Sequence, residues 1–216
     1  MVDQRSRLAL LVVVVGWAAA FAGPACAQDD VASDAARLVT TLELRPGTTV
    51  ADIGAGSGRL TLTLAREVGP AGHVYATELD ADRLREIREA VDSAGLTNVT
   101  VLEAHATRTN LPDRCCDALV MRRVYHHIGD PSLMNASMRE SLKAGGLLAV
   151  IDFAPDGTES PDPDGRATGN RHGVTSATVV RELEQAGFEL HAVEQGPRPG
   201  RFMVVARSPV PRADRD

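Results

Sequence analysis

The feature that most constrains the fold is a short apolar strand that runs into a glycine-rich turn and then into a helix. The strand ends at Asp52-Ile53, and a helical pattern begins at Arg59. Between them lie three glycines, Gly54, Gly56 and Gly58. Glycines let the backbone turn tightly and let a ligand lie against main-chain amides at the helix N-terminus. The segment therefore predicts a ligand pocket where a strand ends.

The spacing of these glycines argues against a dinucleotide. The dinucleotide fingerprint has its third glycine at the position that Arg59 occupies here. Glu78 follows at the end of the next predicted strand, where a carboxylate can accept hydrogen bonds from both hydroxyls of a ribose. Because Asp52 is also acidic, the pocket suits an adenosine-like ligand with a cationic amino acid better than a pyrophosphate.

Strand-like and helix-like segments alternate along most of the chain, which is typical of a doubly wound α/β domain. The continuous apolar run 147–151 favours burial on both faces of a parallel sheet. Predicted strands are 49–53, 73–77, 99–102, 118–124 and 147–153. Predicted helices are 31–44, 59–68, 81–94, 131–143 and 176–186.

Two further strand-like segments, 189–194 and 201–207, end the domain. The glycine- and proline-rich connection 196–200 is too short for a crossover helix, so it requires an antiparallel hairpin. We therefore predict a Rossmann-like, seven-stranded, mostly parallel sheet with an antiparallel last strand. The long stretch 154–173 is interpreted either as a substrate lid or as a plain surface loop.

The N-terminus has the pattern of a secretory signal peptide. Arg5 and Arg7 precede the apolar run 8–22, and Ala25-Cys26-Ala27 follows. The run is shorter than the roughly 20 residues that a spanning helix needs. We expect residues 1–27 to be a signal peptide cleaved after Ala27 and residues 28–216 to be the exported domain, periplasmic or extracellular. A retained anchor and lipidation at Cys26 are the alternatives.

The charge and the cysteine content of the chain limit the partners and metals that it is expected to bind. Removing residues 1–27 moves the formal charge from −6 to −7, so nucleic acid is not expected to bind. No stable membrane span is expected in the mature chain, and its oligomeric state stays open. Cys115 and Cys116 are adjacent; we interpret them as a turn with one buried thiol, with a vicinal disulfide as the alternative. No metal site is predicted.

Residues 34–207 resemble class I S-adenosylmethionine-dependent methyltransferases. The segment from Asp52 to Gly58 matches the family's D/E-x-G-x-G-x-G motif, Glu78 matches its ribose acid, and the terminal hairpin is similar to its last strands. Leu111-Pro112, 117–120 and 124–128 resemble the small-molecule branch that includes quinone-biosynthesis enzymes. The resemblance implies S-adenosylmethionine as the cofactor and a small molecule as the methyl acceptor.

The resemblance also implies roles for particular residues. Asp52 and the three glycines would line the methionine end of the cofactor, Glu78 would bind the ribose, and Leu79 would lie beside the adenine. His105 stands where relatives usually have an aspartate that contacts the adenine amino group. A neutral histidine nitrogen can also accept that hydrogen bond.

Candidate catalytic residues follow the fourth and fifth strands. Methyl transfer from a sulfonium is an in-line displacement, so the protein must hold the acceptor and, where needed, remove a proton. Tyr125, His126 and His127 are expected at this rim together with Asp152. Histidine, with a pKa of about 6.5, suits a general base near neutral pH. The alternative is that the paired histidines bond to the backbone or shape the pocket.

Three functions are therefore compared. The first is a methyltransferase acting on a small molecule. The second is a non-catalytic domain that binds S-adenosylmethionine or senses it, which the departure at His105 favours. The third is a nucleotide-linked oxidoreductase, which Arg59 and the terminal hairpin disfavour.

Overall fold

The computed structural model describes residues 25–211, in which seven strands form one sheet. The strands are β1 (Thr49–Ile53), β2 (His73–Glu78), β3 (Val99–Glu103), β4 (Cys116–Arg122), β5 (Leu142–Phe153), β6 (Glu189–Gln195) and β7 (Arg201–Arg207). Their order across the sheet is β3-β2-β1-β4-β5-β7-β6. β7 is antiparallel to both of its neighbours, whereas β1 to β5 pair in parallel. The predicted fold, including the terminal hairpin, is confirmed.

Five helices cover the two faces of the sheet. They are α1 (Ala25–Thr41), α2 (Arg59–Val68), α3 (Ala81–Ser93), α4 (Pro131–Ser141) and α5 (Ser176–Gln185). α1, α2 and α3 pack on one face, and α4 and α5 pack on the other. α1 begins before the predicted residue 31, and β5 begins before the predicted residue 147.

Local sequence explains where the helices near the site begin. Asp80 accepts hydrogen bonds from the amides of Asp82 and Arg83, at 2.8 and 2.9 Å, and thereby caps α3. Asp130 accepts one from the amide of Leu133 at 3.0 Å, and Pro131 occupies the first turn of α4. Both helices therefore begin directly after a loop that borders the carboxyl edge of the sheet.

The core lies on both sides of the central strands β4 and β5. Leu119, Met121, Leu148 and Val150 face α4 and α5, while the residues between them face α1 and α2. All of these side chains are buried. The burial predicted from the apolar run 147–151 is confirmed.

The stretch 154–173 contains two short 3-10 helices, Pro163–Ala167 and Gly169–Arg171. Arg166, in the first of them, is only 2% exposed. Its guanidinium donates to both carboxylate oxygens of Glu182 on α5, at 2.7 and 3.2 Å. The contact between Arg166 and Glu182 therefore attaches the loop to α5.

Cys115 and Cys116 form a disulfide in this structure, so the interpretation of a turn with one buried free thiol is wrong. Cys115 is the last residue of the loop before β4, and Cys116 is the first residue of that strand. Most of the predicted signal peptide, residues 1–24, lies outside the described residues, and the cleavage stays a prediction. Within residues 25–211, no helix has the length and apolar character that crossing a bilayer requires.

Candidate active site

A cavity of about 630 Å³ opens at the carboxyl ends of β1, β2 and β4. Its volume falls in the range of about 300 to 1,000 Å³ that is usual for small-molecule sites. Most of the residues predicted from the sequence line it: Asp52, Gly54, Gly56, Glu78, Leu79, His105 and His127. The structure thus brings the predicted cofactor residues together around one space.

The glycine loop is held against β2 and the turn after β4. The amides of Gly54 and Ala55 donate to the carbonyl of Thr77 at 2.9 and 3.0 Å. Gly54 has a φ of +70°, and a Cβ there would lie 2.6 Å from a methyl carbon of Val124. Gly58 does not line the cavity; it begins α2, packed against Ile87 on α3. The loop therefore needs glycine at Gly54 for both conformation and space.

Glu78 links the loops that follow β1 and β2. One carboxylate oxygen accepts from the amide of Gly56 at 2.8 Å, and the other from the amide of Leu79 at 2.7 Å. The amide of Asp80 also donates to this second oxygen, at 3.4 Å. A carboxylate offers about four acceptor positions, so at least one remains for a ribose hydroxyl. The half-buried side chain faces the cavity, which fits the predicted role.

Asp52 provides a buried negative charge under the glycine loop. The residue is 2% exposed, and its carboxylate accepts a hydrogen bond from the hydroxyl of Thr61 at 2.7 Å. Burial raises the pKa of Asp52 to about 6, and the Thr61 hydroxyl partly opposes this rise. The group is therefore mostly ionised at neutral pH and attracts a cationic ligand.

Leu79 and His105 form the outer edge of the cavity. Leu79 is 57% exposed, at the turn between β2 and α3. His105 is exposed just after β3, where its amide donates to the carbonyl of Arg108 at 2.9 Å. Their positions fit the predicted contacts with a flat adenine ring.

The three predicted catalytic residues occupy one 3-10 helix, Tyr125–His127, but point in different directions. His127 lines the cavity, where partial burial of its exposed side chain and the neighbouring imidazoles of His126 and His172 lower its pKa. His126 is buried beside Asp152. Tyr125 is fully buried away from the cavity. Of the three, the structure brings His127 alone to the cavity wall.

The hydroxyl of Tyr125 belongs to an internal network. It donates to a carboxylate oxygen of Glu182 at 3.1 Å and accepts from the side-chain amide of Asn135 at 2.8 Å. Burial and the Glu182 carboxylate raise the pKa of Tyr125. These contacts give the hydroxyl a structural partner on each side.

The sequence marks His172, in the loop 154–173, as a basic group that could orient an acidic acceptor, but it does not predict that His172 contacts the histidine pair. Its Nε2 atom lies 3.0 Å from Nε2 of His126, and the ligand nitrogens of His126, His127 and His172 all lie within 4.8 Å of one another. These three residues are called the histidine cluster below. No metal site was predicted because the adjacent thiols of Cys115 and Cys116 have no histidine or third cysteine near them in the sequence.

Two arginines at the end of β4 are paired with acidic residues of α1. Arg122 contacts Asp34 at 2.7 Å, and Arg123 contacts Asp30 at 3.5 Å. Asp30 also borders the cavity. These ion pairs attach α1 to the site.

This architecture and pocket define a class I methyltransferase fold, and sequence comparison supports it. Residues 50–146 match the methyltransferase domain family. A ubiquinone/menaquinone biosynthesis C-methyltransferase of Teredinibacter turnerae is 35% identical over 118 residues, which are 53% of this chain and 47% of that protein. The chain spans about half the length of the curated relatives that it matches.

Solved structures show the same fold over a larger share of the chain. A SAM-dependent methyltransferase of Aquifex aeolicus has a TM-score of 0.68 at 24% identity, covering 83% of this chain and 97% of that one. Phosphoethanolamine N-methyltransferase 2 of Haemonchus contortus, solved with S-adenosyl-L-methionine, has a TM-score of 0.67 at 15% identity, covering 82% and 52%. The described part of the chain therefore has the fold of class I S-adenosylmethionine-dependent methyltransferases, and its residues 50–146 match a methyltransferase domain.

Proposed function

We propose that the chain transfers the methyl group of S-adenosylmethionine to a small-molecule acceptor. The proposal rests on one observation: the Glu78 carboxylate meets the glycine loop at one wall of the cavity, through the bond from the Gly56 amide. When bound, the cofactor would supply a methyl group on a sulfonium. The acceptor would bond to the methyl carbon in line with the carbon–sulfur bond that breaks, and S-adenosylhomocysteine would be the leaving group.

Different residues of the cavity would bind different parts of the cofactor. Asp52 and the backbone of Gly54 and Gly56 would hold the cationic methionine end, because a buried carboxylate attracts positive charge. Glu78 would accept from the ribose hydroxyls. Leu79 and His105 would contact the adenine at the outer edge. These roles are the ones that the family resemblance implies, and the position of each residue on the cavity wall supports them.

The remaining wall is mainly apolar and would contact the acceptor. Its apolar part is formed by Met121, Val124, Ile128 and Met134, and polar side chains of His127, Asp30 and the arginines at the end of β4 lie beside it. An apolar wall with polar groups at its border favours an acceptor that is largely hydrophobic and has a hydrogen-bonding edge. Since the T. turnerae relative is named for C-methylation in quinone biosynthesis, a demethylated quinol analogue is the first acceptor to assay.

Calorimetric titration of the purified chain with S-adenosylmethionine, S-adenosylhomocysteine and NAD tests the cofactor site. We expect the first two to bind and NAD not to bind. Hydrogen bonds to a charged group contribute about 1.5 to 3 kcal/mol, so Glu78→Ala should weaken binding by roughly 10- to 100-fold. Methyl transfer to the quinol analogue is then followed with isotopically labelled cofactor.

Glu103→Ala is the matched control for this titration. Glu103 is the β3 partner of Glu78 in the sheet register, but it is exposed and is not part of the cavity wall. Its removal should leave the affinity unchanged. Binding of NAD without binding of S-adenosylmethionine, or equal losses in the two variants, would contradict the proposed cofactor site.

We also propose that the chain is exported, with residues 1–27 removed as a signal peptide. Arg5 and Arg7 before an apolar run of ordinary signal length support this, as does the Ala25-Cys26-Ala27 sequence. N-terminal sequencing of the protein from fractionated cells should find Gln28 as the first residue, outside the cytoplasm. An intact Met1 in the mature protein would contradict the cleavage.

A further inference from the structure

The histidine cluster joins two separate parts of the chain at the edge of the cavity. His126 and His127 follow β4, and His172 comes from the loop that precedes α5. The ring centroid of His126 lies 4.0 Å from that of His127 and 4.7 Å from that of His172. His126 is buried, whereas the other two are exposed, so the cluster is reachable from solvent.

A buried carboxylate orients the innermost ring. Nδ1 of His126 lies 2.8 Å from a carboxylate oxygen of Asp152. Asp152 also accepts from the amides of His126 and Phe153, at 3.2 and 3.0 Å, so it acts as an acceptor toward all of its partners. In the neutral ring the proton is therefore assigned to Nδ1 of His126, and Nε2 presents its lone pair to the cluster, at hydrogen-bonding distance from Nε2 of His172. Metal-binding histidines are commonly held by this carboxylate–histidine arrangement.

The backbone places His172 opposite that lone pair. The amide of Gly173 donates to the carbonyl of Arg166 at 2.9 Å, and the amide of Val174 donates to that of Phe153 at 3.0 Å. Arg166 is itself fixed by Glu182. The position of His172 thus depends on contacts on both sides of it in the chain.

The spacing of the nitrogens is close to that of a coordinated ion. Two nitrogens bound at about 2.0 to 2.1 Å to a tetrahedral ion lie about 3.3 Å apart. Nε2 of His126 and Nε2 of His172 are 3.0 Å apart. The two rings therefore need to move apart by only a few tenths of an ångström to bind one ion. His127 is exposed, and its ligand nitrogen lies within 4.8 Å of those of His126 and His172. Rotation of the His127 side chain can shorten these distances.

We propose that His126, His127 and His172 form a binding site for a divalent transition metal of the zinc type, with Asp152 as the positioning residue for His126. Neutral imidazoles are ligands that zinc, cobalt, nickel and copper share. Three protein ligands leave one tetrahedral position open. His127 also lines the cavity, so this open position is available to an oxygen or nitrogen of the acceptor; this last step rests on the proposed methyl transfer.

Metal titration of the chain without cofactor or acceptor tests the site. The full chain, free of any histidine tag and stripped with a chelator, is titrated with Co²⁺ by visible absorption and with Zn²⁺ by calorimetry. We expect one saturable equivalent, with a cobalt spectrum typical of four-coordination. His172→Gln and His127→Gln should each abolish the saturable binding. Both residues are exposed, so these variants are expected to fold.

Two further variants sharpen the result. His191→Gln, on the exposed face of β6, should leave one equivalent bound. Asp152→Asn should weaken binding by about 10- to 100-fold, as the loss of a carboxylate behind a metal-binding histidine does. No saturable equivalent in the parent chain, or binding that survives in both His172→Gln and His127→Gln, would overturn the proposal. Cofactor titration in the presence of chelator reports separately on the proposed function.

Discussion

Asp152 and His126 form a buried pair at the edge of the sheet, with Nδ1 of His126 2.8 Å from a carboxylate oxygen of Asp152. Asp152 comes from the end of β5, and His126 from the turn after β4. The pair therefore joins the carboxyl ends of β4 and β5, and it connects the histidine cluster to the core.

Asp152→Ala should lower the free energy of unfolding by about 3 kcal/mol. It leaves three donors without their acceptor, and each buried unsatisfied group costs about 1 to 3 kcal/mol before relaxation. Urea-induced unfolding measures the change. Asp156→Ala, exposed in the following loop, is the control and should change stability by less than about 0.5 kcal/mol. Equal changes in the free energy of unfolding for the two substitutions would show that the buried pair does not stabilise the fold.

Tyr125→Phe should reduce stability without changing cofactor affinity. The substitution removes a buried hydroxyl that accepts from Asn135 and donates to Glu182, at a cost of about 1 to 3 kcal/mol. The ring faces the core rather than the cavity, so calorimetry should give the parental affinity for S-adenosylmethionine. A loss of affinity at unchanged stability would mean that Tyr125 reaches the cofactor.

Gly54→Ala should disrupt the glycine loop, and Val124→Ala should restore part of the loss. The left-handed conformation costs a non-glycine residue about 1 to 2 kcal/mol, and overpacking against Val124 adds about 1 to 3 kcal/mol. Only the second contribution depends on Val124. Unfolding free energies of both single variants and the double variant should therefore show a coupling of about 1 kcal/mol or more. Strict additivity would exclude the close contact.

Asp52→Asn should alter how stability depends on pH. Because the pKa of Asp52 is raised from 3.8 to about 6, the folded state binds more protons than the unfolded state between these values. Stability contributed by this group is therefore lost as pH rises from about 4 to 7, by about 2 to 3 kcal/mol. The asparagine variant lacks this loss, so unfolding curves at several pH values should diverge. Parallel pH profiles would show that the carboxylate titrates at its ordinary pKa.

Features encoded by neighbouring residues were predictable from the sequence. The strand, glycine turn and helix around Gly54 form one continuous segment, and Glu78 follows from its place at the end of the next strand. The short connection 196–200 permits only a hairpin, and the structure has one. In each case the chemistry of a few adjacent residues decides the local geometry.

Features that depend on the path of a long loop were not predictable. His172 meets His126 because Arg166 is buried against Glu182, and neither contact has a periodic pattern in the sequence. The inward direction of Tyr125 likewise depends on a 3-10 turn and on partners from α4 and α5. Such contacts join residues that are distant in sequence, so single-residue chemistry identifies the candidates but not their arrangement.

A crystal structure of the chain with S-adenosylhomocysteine tests the central claim most directly. We predict that the ligand occupies the cavity, with its ribose hydroxyls within hydrogen-bonding distance of the Glu78 carboxylate and its amino-acid end at the loop from Gly54 to Gly56. An empty cavity at saturating ligand, or ligand bound away from Glu78, would contradict the assignment of this cavity as the cofactor site.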